Sequence, residues 1–142
     1  MKIRTLRETD ISAVIALWND CALTRPWNNP EKDIRFALEG ATSTILIGEE
    51  QGQTIASVMV GHDGHRGALY YLAIAPNHQG RGYGRAIHDA AVEWLQKHGV
   101  WKINLLVRAG NERVLGFYEG LGYAENGAIS LGKQLGAPKI ET

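Results

Sequence analysis

The stretch "PNHQGRGYGRAIHDAAVEWLQKHG", residues 76–99, decides how the rest of the chain is read. Glycines at 80, 82 and 84 alternate with Gln79, Arg81, Tyr83 and Arg85, and an apolar pattern of helical period follows at once. Glycine is entropically costly to order, so three of them at the mouth of a good helix call for a purpose. They strip side chains from a segment between a strand and a helix. Its main-chain N–H groups can then converge on a ligand, and the helix start adds roughly half a positive charge. That combination suits a phosphate, to which Arg81 and Arg85 can add charge-assisted contacts. A dinucleotide fingerprint starting at Gly80-x-Gly82 would need glycine where Arg85 stands, and no Gly-Lys-Ser/Thr follows to make a P-loop.

Outward from the loop, "ALYYLAIAP" reads as the strand before it, a helix spans about Gly82 to His98, and "WKINLLVRA" is a further strand. Lys2 to Leu6 forms a short first strand. A helix follows from Thr9 or Asp10, either an acceptable N-cap, with Ile11, Val14, Ile15, Trp18 and Cys21 on one face. "TRPWNNP" breaks the chain. Asn29 then caps a second helix, with Pro30 at its first position, Glu31 and Asp33 near its positive end and Gly40 closing it. "STILIGEE" and "TIASVMVGH" are strands joined through Gln51-Gly52, and "HDGHRG" is a second tight connection. Asn111 opens a helix running through Leu121 and ended by Gly122. The tail "YAENGAISLGKQL" reads as two more strands around Asn126-Gly127. The order β-α-α-β-β-β-α-β-α-β-β predicts one α/β domain with a mixed sheet.

The 142 residues fit one domain able to bury a core. Fifteen basic and fifteen acidic residues cancel, so no strong field draws the chain to nucleic acid or anionic lipid. No apolar run approaches 18 residues and Met1 to Arg7 alternates as a strand does, so neither a membrane span nor a secretion signal is expected. Cytoplasm is the expected compartment. Cys21 is the lone cysteine and reads as packing. His62 and His65 are spaced like a metal pair without an evident third ligand, so no metal is expected. His78, His88 and His98 flank or ride the helix after the loop and read as surface residues.

Two segments carry a family resemblance. "LAIAPNHQGRGYGRAI" resembles the acetyl-CoA-binding signature of the GNAT superfamily of N-acetyltransferases, Gln/Arg-x-x-Gly-x-Gly/Ala, here Gln79, Gly82 and Gly84. "NERVLGFYEGLGY", residues 111–123, resembles the same family's second motif, with Val114 where alanine is frequent. "RPWN-P--D" and "GHDGHRG-AYYL" are similar to a bacterial subgroup close to the YpeA-type acetyltransferases. The resemblance implies a single GNAT-type domain over 1–142. Its fold would be α/β (α+β), with a mixed, mostly antiparallel sheet of six to seven strands, splayed at the centre and flanked by about four helices. It also implies acetyl-CoA as cosubstrate. Amides from Arg81 through Gly82, Tyr83 and Gly84 to Arg85 would hold the pyrophosphate, with Gln79 and Gly80 also binding the cofactor. Leu72, Ala73 and Ile74 would pair with the pantetheine arm as an added strand. Asn111 would hydrogen-bond that arm, and Tyr118 would sit near the sulfur.

The implied chemistry is direct acetyl transfer to an amine. The carbonyl would be polarised by an N–H near Ala73 or Ile74, and Tyr118 would protonate the departing thiolate as general acid. The acceptor must be neutral: a lysine-type amine of pKa about 10.4 costs about 4.6 kcal/mol to deprotonate at pH 7, an α-amine near 8 only about 1.4. No base declares itself among Asp63, His65, Glu49 and Glu50. The connection between the first two helices, with Arg25, Trp27 and Asn28, would cover the acceptor, with Tyr70 also on that side; Arg25 would fit an acceptor carboxylate. Expected partners are thus a small-molecule or peptide amine, with a homodimer left open. A non-catalytic acetyl-CoA-binding sensor stands as the alternative, and a nucleotide-binding domain unrelated to CoA is disfavoured by the failed fingerprints.

Overall fold

The computed structural model describes residues 1–136, which fall into two compact units, Met1–Asn104 and a second beginning at Leu105. In the first unit the strands are β1 (Lys2–Thr5), β2 (Ser43–Glu50), β3 (Gln53–His62) and β4 (Gly67–Ile74). They form one antiparallel sheet in the order β1-β2-β3-β4. Helices α1 (Ile11–Asp20) and α2 (Pro30–Glu39) precede β2, and α3 (Tyr83–Lys97) follows β4.

Period-two alternation sorts the sheet's side chains onto two faces. Ile45 and Ile47 join Val14, Leu17, Trp18, Ile34 and Ala73 in a buried cluster beneath α1 and α2. The cross-strand partners Leu46 and Val58 point the other way, to the face on which α3 buries Ile87, Ala91 and Leu95. The approach of α3 is close: a Cβ on Gly67 would stand 2.7 Å from Leu95 Cδ1, so the first residue of β4 has no room for a side chain.

Local signals produce local structure. Asn29 Oδ1 accepts from Lys32 N–H at 3.1 Å, capping α2 with Pro30 in its first turn. Gln51 (φ +51°) and Gly52 (φ +76°) make a two-residue left-handed turn between β2 and β3. Asp10 occupies the N-cap position of α1, but its carboxylate serves the turn before it. It accepts from Arg7 N–H at 2.7 Å and from both Arg4 amino groups at 2.7 and 3.0 Å. Arg4 also reaches Glu49 on β2 at 3.2 Å.

The second unit holds α4 (Glu112–Gly120), N-capped by Asn111, whose Oδ1 accepts from Val114 N–H at 3.3 Å. The expected six to seven strands are corrected here to four among the described residues. "WKINLLVRA" makes one parallel bridge, Gly67↔Ile103, and residues 105–109 and 123–136 carry no strand. At Asn126-Gly127 the turn itself forms, with Gly127 at φ +76° and Ala128 N–H donating to Asn126 Oδ1 at 3.2 Å. The described flanks form no strand, with Ile129 and Leu131 exposed. Alternation states which face a strand would bury; it supplies no partner edge, and a ladder is a non-local commitment.

The Arg4 cluster generates a pH prediction. Hydrogen bonds from Arg4 hold the Asp10 and Glu49 carboxyls below their usual range. Folded-state values below the unfolded ones make this stabilisation complete above about pH 5 and lost as pH falls through the folded values. Urea midpoints should therefore drop between pH 5 and pH 3, and Arg4→Gln should drop less over that interval. An equal drop in both proteins would remove this cluster as a cause.

Candidate functional site

The loop at residues 79–85 follows β4, and β4 is irregular just before it. Ser57 faces Ala73 and Met59 faces Tyr70, so Val58 stands opposite two residues, Tyr71 and Leu72. This is a β-bulge, and Tyr71 adopts φ +51°, an outlier for a bulky aromatic residue. Several contacts hold it. Its ring lies on Trp18 with centroids 3.8 Å apart and planes 8° from parallel. Trp18 Nε1–H donates to Ser57 Oγ at 2.8 Å, and that hydroxyl donates to Tyr71 O at 2.8 Å. The Tyr71 hydroxyl donates to Asp33 Oδ2 on α2 at 2.7 Å.

Beyond the bulge, Ala73 is buried and Ile74 half-buried. The Ile74 carbonyl accepts from Gln79 Nε2 at 3.1 Å and from Cys21 Sγ at 3.3 Å, tying the loop's first side chain to the strand end. Burial raises the Cys21 thiol, consistent with a packing residue. Gly80 (φ +78°) and Gly82 (φ +80°) are left-handed, and a Cβ on either would meet nothing within 4 Å. Glycine is needed for the backbone conformation, and the space above both is open to a ligand. Tyr83, Gly84 and Arg85 then begin α3, where N–H groups lack partners within the helix. Arg81 and Arg85 are exposed. The Tyr83 hydroxyl donates to Glu50 Oε1 at 2.6 Å. Open space above two left-handed glycines, a helix start and two exposed arginines are compatible with an anionic ligand such as a diphosphate.

The carboxylates near the loop and the β3–β4 turn are engaged. Glu49 is held by Arg4 and Glu50 by Tyr83, and each bond keeps its carboxyl below the usual range. Asp63 Oδ1 accepts from His65 N–H at 2.9 Å and Arg66 N–H at 2.8 Å, which lowers that carboxyl too and makes Asp63 a builder of the turn. None is shaped as a base. Among the described residues no three metal-ligating side chains come together. His88 is corrected from surface to buried, at 5% exposure, with Nδ1 2.9 Å from Asp89 Oδ1. It follows Ile87 on the face that α3 turns to the sheet.

In the α1–α2 connection, Arg25 Nη1 donates to Ala22 O at 2.7 Å and Thr24 O at 3.0 Å, while Trp27 is 65% exposed. Asn28 N–H donates to Arg25 O at 3.0 Å, closing the turn. Tyr70 is half exposed. In the second unit, Asn111 caps α4, and Tyr118 stands edge-on to Phe117 and Tyr123 at 5.1 and 5.4 Å. Burial lifts its phenol above the ordinary range.

Sequence reasoning singled out Tyr70 and missed Tyr71. Alternation cannot tell which of two adjacent tyrosines a bulge turns inward. Asp33 carried the signal of an acidic residue in a helix's first turn and closed the stretch "RPWN-P--D", but neither assigned it a role.

Comparison with known proteins agrees with this architecture. The family model for the acetyltransferase (GNAT) family matches residues 11–123, a span that runs through both units. An acetyltransferase of Pectobacterium atrosepticum is 44% identical over 95% of this chain and 96% of its own length. The ribosomal-protein-S18-alanine N-acetyltransferase of Escherichia coli superposes with a TM-score of 0.72 at 26% identity, covering 85% of this chain and 76% of that one. The structure of a predicted acetyltransferase from Clostridium acetobutylicum with acetyl-CoA superposes with a TM-score of 0.74, with 18% identity over 92% of this chain and 95% of that one. A family pattern matched over most of the sequence, and a close relative aligned along nearly all of it, lead to one assignment: the chain belongs to the acetyltransferase (GNAT) family.

Proposed function

We propose that this chain, read as one domain over residues 1–142, is a cytoplasmic N-acetyltransferase. It moves an acetyl group from acetyl-CoA directly to a primary amine of a small molecule or peptide within a ternary complex. The observation that carries the reading is the open cradle at Gly80 and Gly82, with the start of α3 behind it and the bulged β4 ahead of it.

Bound acetyl-CoA supplies the acetyl group as a thioester. The residues do the rest. Amides of residues 80–85 hold the diphosphate, whose charge is favoured at the helix start, and Arg81 and Arg85 add cations. The edge of β4 at Leu72 and Ile74 pairs with the pantetheine arm. Ala75 N–H donates to Ile55 O at 2.8 Å, so alternation turns Ala73 N–H toward β3 and Ile74 N–H away from it. This favours Ile74 as the donor that polarises the carbonyl. Asn111 retains its amide N–H₂ for the arm while its oxygen caps α4. Tyr118 donates its proton to the thiolate as it leaves, and its raised pKa keeps that proton in place at neutral pH. The amine enters neutral and releases its second proton to water, because the nearby carboxylates are engaged elsewhere. Trp27, Asn28, Arg25 and Tyr70 line the acceptor's approach. The Escherichia coli protein named for an alanine of S18 supports an amine acceptor.

Thermal shift tests the donor. Acetyl-CoA at 100 times its Kd should add about 2.7 kcal/mol of stability, and NAD or ATP should add none; stabilisation by NAD or ATP in place of acetyl-CoA would refute the reading. Gly82→Val forces a β-branched residue to φ +80° and fills the open cradle. Calorimetric acetyl-CoA affinity should weaken by about tenfold or more, a loss of about 1.4 kcal/mol, and wild-type affinity would show that Gly82 faces no ligand. In Tyr118→Phe, kcat should fall on the order of a hundredfold, in the range for a lost general acid, with a much smaller change in acetyl-CoA Kd. An unchanged kcat would take the phenol out of the reaction, and acetyl-CoA binding without transfer to any amine of a broad panel would leave a sensor.

A further inference from the structure

The contacts that hold the bulge end on a carboxylate. Trp18 is fully buried, Ser57 is fully buried, and together they fix the Tyr71 ring and its carbonyl. The Tyr71 hydroxyl then fixes Asp33 Oδ2 at 2.7 Å. Asp33 itself is half-buried, on the α1–α2 face of the sheet and joined to the residue next to Leu72. Two residues along α2, Arg35 binds Glu8 at 2.9 Å and Glu31 at 3.0 Å, so that cation is committed outward. Phe36, one turn on from Asp33, is 78% exposed and adds an apolar ring to the same stretch of helix.

We infer that Asp33 is a specificity residue that binds a second, non-reacting cationic group of the amine acceptor; the inference rests on the acetyltransferase reading above. The Tyr71 hydroxyl donates to Asp33 Oδ2 and orients the carboxylate. A carboxylate stabilises the ammonium form, in which a reacting amine is inert. Its chemistry serves a cation that must stay charged. Tyr71 fixes the direction of that charge, and Phe36 offers contact to the hydrocarbon between the two nitrogens. The acceptor class is thus an alkyl amine carrying a further ammonium group, as in a diamine.

The test compares 1,5-diaminopentane with n-pentylamine as acceptors at one pH, by thiol release. The wild-type kcat/KM should favour the diamine by about tenfold, the size of one charge-assisted hydrogen bond. D33N keeps an acceptor for the Tyr71 hydroxyl but removes the charge, and should bring the ratio close to one through the KM of the diamine. Y71F keeps the charge but frees its direction, and should lower the ratio part-way. A structural tether alone would lower the melting temperature of both variants and leave the ratio at its wild-type value, and that result overturns the inference, as does a wild-type ratio near one. If neither amine turns over, calorimetric titration of both into the CoA-saturated protein reads the same ratio. Acetyl-CoA binding, measured separately, fails only if the parent reading fails.

Discussion

A tyrosine at φ +51° is opposed by its own Cβ, and a bulge leaves main-chain groups outside the regular ladder. Around Tyr71 the opposing forces are answered by specific neighbours. The Trp18 ring covers one side, Ser57 relays a hydrogen bond from the indole to the strained residue's carbonyl, and Asp33 accepts the hydrogen bond of the phenol. Because Trp18 and Ser57 are fully buried, the arrangement is locked into the α1–α2 core. The bulge changes the pairing phase of β4 between Tyr70 and Ala73, which sets the direction in which Ile74 N–H points as the chain enters the glycine loop.

The electrostatics of the loop follow a similar economy. Glu50 lies near a region whose proposed ligand is an anion, yet it is bound by the Tyr83 hydroxyl and approached by His78 Nε2 at 3.6 Å. Glu49 is drawn toward Arg4 at the far edge of the sheet. Acidic groups that would repel a diphosphate are thus paired with donors, while Arg81 and Arg85 stay exposed at the start of α3. Asp63, which a reading for catalytic bases would pick out, is consumed by two backbone amides of its own turn.

What could be read ahead of the structure was local. The Asn29 and Asn111 caps, the Gln51-Gly52 turn and the glycine-bared loop before α3 all depend on residues within a few positions of each other. The features that escaped depend on distant partners. Tyr71 meets residues 14, 38 and 53 positions away, at Ser57, Asp33 and Trp18. His88 reads as polar on an otherwise ordinary helix, and only the direction from which the sheet approaches α3 makes it interior. The strands expected beyond Ile103 carried a correct turn signal at Asn126-Gly127, but a turn does not name the edge on which a strand must be laid.

The sheet of the first unit divides its duties between its faces: α3 and its glycine entrance are mounted on one, α1, α2 and their connection on the other. Substitutions in Thr24–Asn28 or at the exposed α2 positions Glu31, Arg35, Phe36 and Glu39 can therefore accumulate without disturbing the packing of Ile87, Ala91 and Leu95 against the sheet. Lineages descending from such a scaffold would be free to exchange one recipient for another while inheriting the same grip on the donor.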